Sequence, residues 1–153
     1  MAGAAPAAPT APAAPATDSK RIWVKGLMFP GGIKHYEEFA QYLVIYRDES
    51  AKLKKGEKIS YDSWMKVYTY IRCVVHMNSI VIAKMLPSQV LNSLNDKLSL
   101  IDSLRKIEAS VVHPMTKQIA TGNIILLSVF VDMEVKMKNP TLFIHTEINM
   151  LDY

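Results

Sequence analysis

Cys73 and His76 are the two residues of this sequence whose types and spacing most resemble those of a metal site or of a cysteine nucleophile with its base. They are three residues apart, so on a helix their side chains would point in similar directions. A structural metal site needs further ligands, and the other histidines, His35, His113 and His145, are scattered over separate segments. A cysteine nucleophile would also need an electropositive pocket and an oxyanion hole. We therefore expect a packed or interfacial pair and no metal.

The acidic residues form no pattern typical of catalysis. They occur as Glu37–Glu38, Asp48–Glu49 and the alternating Asp132 and Glu134, each where a solvated face is expected. A general acid and a general base need environments that separate their pKa values, and no apolar pocket around one carboxyl group is recognisable. The sequence also lacks the glycine-rich phosphate-binding motifs and the G-x-S-x-G motif. It predicts no enzyme, no cofactor and no small-molecule substrate.

Aromatic and basic residues are concentrated between residues 36 and 70. Six of the seven tyrosines fall there, together with the lysines Lys52, Lys54, Lys55, Lys58 and Lys66. Aromatic platforms beside cations hold single-stranded nucleic acid, so these lysines are a candidate nucleic-acid site. Six acidic residues share the span, which favours the simpler interpretation of core aromatics with a solvated basic loop. The net charge of +4 permits an anionic partner without requiring one.

A second candidate site is a protein interface on the helix predicted around residue 73. Asn78 falls within the apolar seam of that helix, where a polar residue either fixes the register of a partner helix or is paired inside the chain. Cys73, Ile80 and Ile82 add apolar groups on the opposite side. A helix that is apolar nearly all round is either central to the fold or covered by a partner. We expect protein subunits, identical or different, as partners.

The chain begins with a segment that cannot build a core. Residues 4–15 are four triplets of small residues that each end in proline, and we assign residues 1–19 to a flexible Ala/Pro-rich arm and residues 20–153 to a single globular domain. In polyproline II form the twelve triplet residues would extend about 37 Å. The arm has no basic start and no continuous apolar stretch, so it is not a secretory signal.

The cellular context follows from the cysteine count and from hydropathy. A single cysteine excludes an internal disulfide and favours a reducing compartment. The longest apolar run, residues 119–131, is cut off by Asp132 and Glu134, so we predict no membrane span. We expect an intracellular protein, cytoplasmic or nuclear, or one enclosed in a virus particle, and not a secreted one.

Apolar periodicity predicts one strand and three helices before residue 114. Residues 22–29 are rich in β-formers and end at Pro30, which indicates a short strand. Spacings of three and four then predict three helices: from Lys34 to about Gly56, from Ser60 or Asp62 to Leu86–Pro87, and from Ser88 to His113–Pro114.

Two periods compete in the last forty residues. Residues 129–137 alternate between apolar and polar as a half-buried strand does, yet Asp132 with Lys136 and Glu134 with Lys138 are spaced for helical ion pairs. The β-branched content favours the strand, which would form a hairpin with residues 141–148 across Asn139–Pro140. The predicted fold class is therefore α+β: three consecutive amphipathic helices, a short N-terminal strand and a C-terminal β-hairpin. The alternative is an all-α four-helix bundle.

These observations favour a non-catalytic structural or assembly protein that works as a subunit of a larger complex. An extended arm that reaches neighbours is a device of particle-forming proteins, so a virion or capsid component is the specific version of this hypothesis. The first alternative is a nucleic-acid-binding module that uses the basic loop and its aromatic neighbours. The second is a small enzyme with an unrecognised site.

Overall fold

The computed structural model describes residues 24–87 and 90–144, and these are mostly helical. The helices are α1 (Gly32–Lys54), α2 (Tyr61–Met85), α3 (Leu94–Ser110) and α4 (Pro114–Met137). A two-residue strand, β1 (Ile59–Ser60), precedes α2, and a second, β2 (Phe143–Ile144), follows a single 3-10 turn, Pro140–Leu142. The two strands pair in parallel, with Ile59 opposite Phe143 and Ser60 opposite Ile144.

The predictions of α1 and α2 are confirmed, and the signals that mark their ends are local. Gly32 has a positive φ of 74° at the start of α1, and Gly56, with φ 83°, follows its last turn. The Ser60 hydroxyl caps α2 by accepting a hydrogen bond of 3.2 Å from the Ser63 amide. The helix ends at Met85, just before Leu86–Pro87.

The third helix begins later than predicted. Ser88 lies outside the described residues, and α3 starts at Leu94 with Ser93 as its cap. Ser93 and Asp96 form a reciprocal capping box, in which the Ser93 hydroxyl accepts from the Asp96 amide at 3.0 Å and the Asp96 carboxylate accepts from the Ser93 amide at 3.0 Å. This pair satisfies two backbone donors, which explains the start of the helix at that residue. These amide donors also lower the pKa of Asp96.

The predicted strand at residues 129–137 is wrong, because this segment is the last half of α4. Phe130, which interrupts the alternation of apolar and polar residues, is buried on the same face as Leu126, Leu127 and Met133. That spacing of three and four is helical. The Lys136 ammonium donates to Asp132 at 2.9 Å, as the helical alternative required.

The other two β predictions also differ from the structure. Residues 24–29 form no strand, and residues 22 and 23 lie outside the described part of the chain. Of the predicted second hairpin strand, residues 143–144 are extended, but they pair in parallel with β1 and not with residues 129–137. Residues 145–148 lie outside the described residues. A predominantly helical chain with a minimal parallel sheet is closer to the all-helical alternative than to the α+β reading.

One hydrophobic core joins the four helices. Helix α4 packs against α3 and α2, while α1 packs against α2. Trp64 of α2 is fully buried between Tyr46 and Phe143, whose rings lie 5.8 and 6.2 Å from it. Phe143 therefore attaches the end of the chain to the same core as α1 and α2.

Residues 24–30 form a segment that is held between α2 and α4. The Met28 amide donates to the buried Asn78 side chain at 2.7 Å, and Asn78 donates back to the Met28 carbonyl at 3.3 Å. On the α4 side, a Cβ built at Gly122 would overlap the Lys25 carbonyl oxygen, and one built at Gly26 would overlap the Gln118 carbonyl oxygen. The segment approaches α4 so closely because both positions are glycine.

We expect Gly122→Ala to destabilise the protein, although alanine is the better helix former by about 1 kcal/mol. The added methyl group meets backbone, which cannot move aside as a flexible side chain would, and overpacking of this kind costs about 1–3 kcal/mol. Because the added methyl group would overlap a backbone oxygen, we expect a cost at the upper end of this range, so that equilibrium unfolding in urea shows a net loss of up to about 2 kcal/mol. Ser128→Ala in the same helix is the control and should leave stability nearly unchanged. Equal or higher stability of Gly122→Ala would contradict the close approach.

Candidate protein interface

The structure divides the four predicted interface residues between the core and the surface. Asn78 and Ile82 are buried, whereas Cys73 and Ile80 are exposed on the outer side of α2. The Asn78 amide group donates to the Val74 carbonyl at 2.9 Å in addition to its two bonds with Met28. Its polar atoms are thus satisfied inside the chain, which is the second of the two roles considered for this residue.

The outer side of α2 carries a line of exposed residues, which we name the α2 stripe. Their spacing alternates between four and three until the last step, which is again four: Asp62, Lys66, Thr69, Cys73, His76, Ile80 and Lys84. These spacings keep the residues on one side of the helix. Ile80 is 62% exposed, which is a large fraction for an isoleucine. Cys73 and His76 lie together on this stripe.

A shallow, mostly apolar groove runs beside the α2 stripe toward α1. It is lined by Tyr42, Met65 and Tyr70, together with Asp62, Lys66, Thr69 and Cys73 of the stripe, and has a volume of about 500 Å³. The rings of Tyr42 and Tyr70 stack at 4.3 Å. The Tyr70 hydroxyl donates to the His35 carbonyl at 3.2 Å, and burial together with the nearby Glu38 carboxylate raises its pKa. The hydroxyl therefore stays protonated at neutral pH.

The candidate nucleic-acid lysines do not share one groove. Lys52, Lys54, Lys55 and Lys58 are exposed around the C-terminus of α1, and Lys52 is paired with Glu49 at 2.9 Å. Lys54 lines a groove between α1 and α4, while Lys66 lines the groove beside the α2 stripe. The aromatic rings of this region pack largely against the core. This arrangement agrees with the simpler interpretation of a solvated basic loop.

The sequence interpretation missed an exposed apolar surface on α4, because it assigned half of that helix to a strand. Ile125 is 40% exposed and Val135 48% exposed, and Leu98 of α3, which lines a groove together with Val135, is 44% exposed. We name these three residues, with the half-buried Val129, the α4 surface. Ile125 and Val129 line a groove between α4 and α1, and Leu98 and Val135 line another between α4 and α3. The helical ion-pair spacing of Asp132 and Lys136 was the signal that could have revealed it.

The two acidic residues of α4 connect this helix to its neighbours. Asp132 accepts a hydrogen bond of 2.6 Å from the Tyr46 hydroxyl of α1. Glu134 accepts one of 2.7 Å from the Tyr68 hydroxyl of α2 and pairs at 3.0 Å with the Lys97 ammonium of α3. Lys97 is buried and also lies 5.1 Å from the centre of the Phe130 ring. These carboxylates have structural partners on three helices and do not face each other as a catalytic pair would.

The grooves named above are open to solvent. Residues 24–87 and 90–144 contain no group of three His, Cys, Asp or Glu side chains that could hold a metal ion. Helix α4 is long and apolar enough to cross a membrane. The core helix of a soluble protein meets the same criterion, so this is weak evidence. The expectation that the chain has no membrane span stays a prediction.

Comparisons with known proteins give no relative. No protein-family profile, no curated protein and no solved structure matches this chain.

Alkaline pH tests the contact between Tyr68 and Glu134. Burial first, and then the Glu134 carboxylate, raise the pKa of Tyr68 from 10.0 to about 12. The unfolded chain releases this proton at lower pH than the folded chain does, so the stabilising contribution is complete below about pH 10 and is lost as the pH rises through about 12. We expect the free energy of unfolding of the wild-type protein to fall more steeply over this range than that of Tyr68→Phe.

The free energy of unfolding in urea is measured for both proteins at a series of pH values. The difference between the two proteins at pH 7 gives the effect of the lost hydrogen bond alone and serves as the reference. Parallel curves for the two proteins would show that the Tyr68 hydroxyl is not held by Glu134.

Proposed function

We propose that this chain is a non-catalytic subunit of a larger protein assembly, with a virion or capsid component as the specific version. The observation that carries the proposal is the α4 surface. Ile125 and Val135 are ten residues apart on one helix, about 15 Å, and both stay substantially exposed. Exposed apolar groups clustered around one helix are typical of protein interaction sites.

The grooves on both sides of the α4 surface support the proposal. The groove toward α1 is lined by Leu43, Tyr46, Val129 and Lys136 among others, and the one toward α3 by Leu98, Ile101 and Val135 among others. Both grooves combine apolar side chains with charged ones, Asp132 among them, and protein interfaces likewise contain apolar and polar groups. Their open form suits a protein segment better than an enclosed small molecule.

The N-terminal arm gives such a subunit a second means of contact. Its twelve triplet residues would extend about 37 Å, which is enough to reach beyond the core of a chain of this size. Proline restricts the unfolded arm, so less conformational entropy is lost when a partner binds it. An apolar surface and a proline-rich arm together are the features of a subunit that contacts several neighbours.

We expect the double variant Ile125→Lys, Val135→Lys to reduce self-association of the full chain. Two ammonium groups on the α4 surface would have to lose their water in any interface there, so the weight-average mass in sedimentation should fall. Ile33→Lys is the matched control, because Ile33 is an exposed isoleucine near the N-terminus of α1. Circular dichroism verifies that each variant is folded.

The same sedimentation experiment tests the arm. Deletion of residues 1–17 should weaken assembly and leave the helical signal and the unfolding midpoint unchanged. A wild-type chain that stays monomeric at micromolar concentration, alone or in its source extract, would overturn the proposed function.

A nucleic-acid-binding function is the second candidate, and the exposed lysines at the C-terminus of α1 favour it. Lys54 and Lys136 both line the groove between α1 and α4, so two cations stand beside the half-buried ring of Tyr46. Cations near an aromatic ring are the elements of a single-strand site. The Tyr46 hydroxyl, however, is bound to Asp132, whose negative charge opposes a phosphate group.

For this candidate we expect Lys54→Glu, Lys55→Glu to weaken the binding of a single-stranded oligonucleotide by about tenfold or more, with a shallower dependence on salt. Fluorescence anisotropy at several salt concentrations measures both quantities. The charge-neutral Ser99→Ala on the exposed side of α3 is the control. If the Lys54→Glu, Lys55→Glu variant bound the oligonucleotide as tightly as the wild-type chain does, these lysines would not be the nucleic-acid site.

A further inference from the structure

The α2 stripe is one continuous face of a straight helix. Its steps of four and three residues average about 3.7, close to the 3.6 residues of a helical turn, which keeps one line of residues on one side of the helix over several turns. The stripe contains Ile80 and Cys73 next to charged residues, and the apolar groove of Tyr42, Met65 and Tyr70 runs beside it. The described residues leave this side of α2 uncovered.

The stripe is nearly symmetric about Cys73 when the chain direction is reversed. An antiparallel copy centred on this residue brings Asp62 opposite Lys84 and Lys66 opposite Ile80, and it places Thr69 within one residue of His76, while Cys73 faces its own counterpart. The two ends of the stripe then carry opposite charges, so one helix complements a second copy of itself. Two such ion pairs form, one at each end.

A parallel arrangement has the opposite consequence. Each residue would face its own type, so that Lys66 would meet Lys66 and Asp62 would meet Asp62, with repulsion at both. The charge pattern thus selects the antiparallel arrangement. Arg72 lies at the edge of the stripe, and its long side chain can extend to water.

The groove beside the stripe also fits this arrangement. Ile80 of the second copy comes opposite Lys66, which lies in the middle of the groove lining from Asp62 to Cys73. An isoleucine that is 62% exposed on the free chain would there contact Met65 and the stacked tyrosine rings.

We propose that two copies of this chain associate through their α2 stripes, in antiparallel orientation, about a two-fold axis at Cys73. The proposal rests on the proposed function and names one of its contacts. A two-fold contact alone closes at a dimer, so a larger assembly needs a second surface, for which the α4 surface is available.

Oxidative cross-linking of the wild-type chain tests the arrangement directly, because Cys73 is the single cysteine of the sequence. Copper phenanthroline should convert the full chain to a disulfide-linked dimer, seen on a non-reducing gel and lost on reduction. The control is Cys73→Ser, Ser63→Cys, which moves the thiol to an exposed position on the same helix. In the antiparallel dimer the two residues 63 are about 30 Å apart, so no dimer should form.

A mixture of two single-cysteine variants distinguishes this arrangement from disulfides formed by random collision of thiols. Cys73→Ser, Thr69→Cys and Cys73→Ser, His76→Cys should cross-link to each other when mixed, and the heterodimer is recognised by a size tag on one chain. Each variant alone should cross-link much less. A parallel dimer would instead cross-link each variant with itself, and that result would overturn the proposal.

Two substitutions at Ile80 test the contact without cross-linking. Ile80→Lys would face Lys66 of the second copy, whereas Ile80→Glu would form an ion pair with it, and both lose the same apolar contact. In the Ile125→Lys, Val135→Lys background, we expect the dimer dissociation constant of Ile80→Lys to exceed that of Ile80→Glu by about tenfold. Equal dissociation constants for the two would overturn the proposal.

The failure of this proposal is distinct from the failure of the proposed function. A chain that assembles in sedimentation but gives no Cys73 dimer associates through other surfaces, which would overturn the α2 contact and leave the assembly function standing. A chain that stays monomeric and gives no cross-linked dimer would overturn both.

Discussion

The buried amide of Asn78 is the interaction on which the arrangement of the helices depends. It binds both backbone groups of Met28 and so fixes the segment 24–30 against α2. The same segment contacts α4 so closely that Gly26 and Gly122 leave no room for a side chain. A polar group in an apolar seam is costly unless it is paired, so the segment and the two helices form one interdependent unit.

A second set of polar contacts orients α4 from its other end. Asp132 reaches α1 through Tyr46, and Glu134 reaches α2 through Tyr68 and α3 through Lys97. All these contacts use carboxylates of one helix, which explains why acidic residues occur in an apolar segment that is a helix and not a half-solvated strand. The cost of burying Lys97 is offset by Glu134 and by the Phe130 ring. These contacts fix α4 at Asp132 and Glu134, while Ile125 and Val135 of the same helix stay exposed as part of the α4 surface.

The two surfaces described on residues 24–87 and 90–144 have different chemistry. The α4 surface is aliphatic and bordered by grooves, which suits contacts with other chains or with an extended segment. The α2 stripe is mixed and charged at both ends, which suits self-recognition. A subunit with one two-fold contact and one further contact can build an extended or closed assembly, whereas the two-fold contact alone would stop at a dimer. This combination gives the assembly proposal its physical basis.

The sequence alone determined the two long helices α1 and α2, because glycines and the Ser60 cap act locally and the apolar spacing is regular. It also identified Cys73, Ile80 and Asn78 as unusual, but it left open whether Asn78 faces a partner or its own chain. Only the tertiary structure decided that question, since Met28 is fifty residues away in the chain. Tertiary contacts likewise decided residues 129–137: their alternation fits a strand and a helix equally well locally, and burial of Phe130 together with the partners of Asp132 and Glu134 selects the helix.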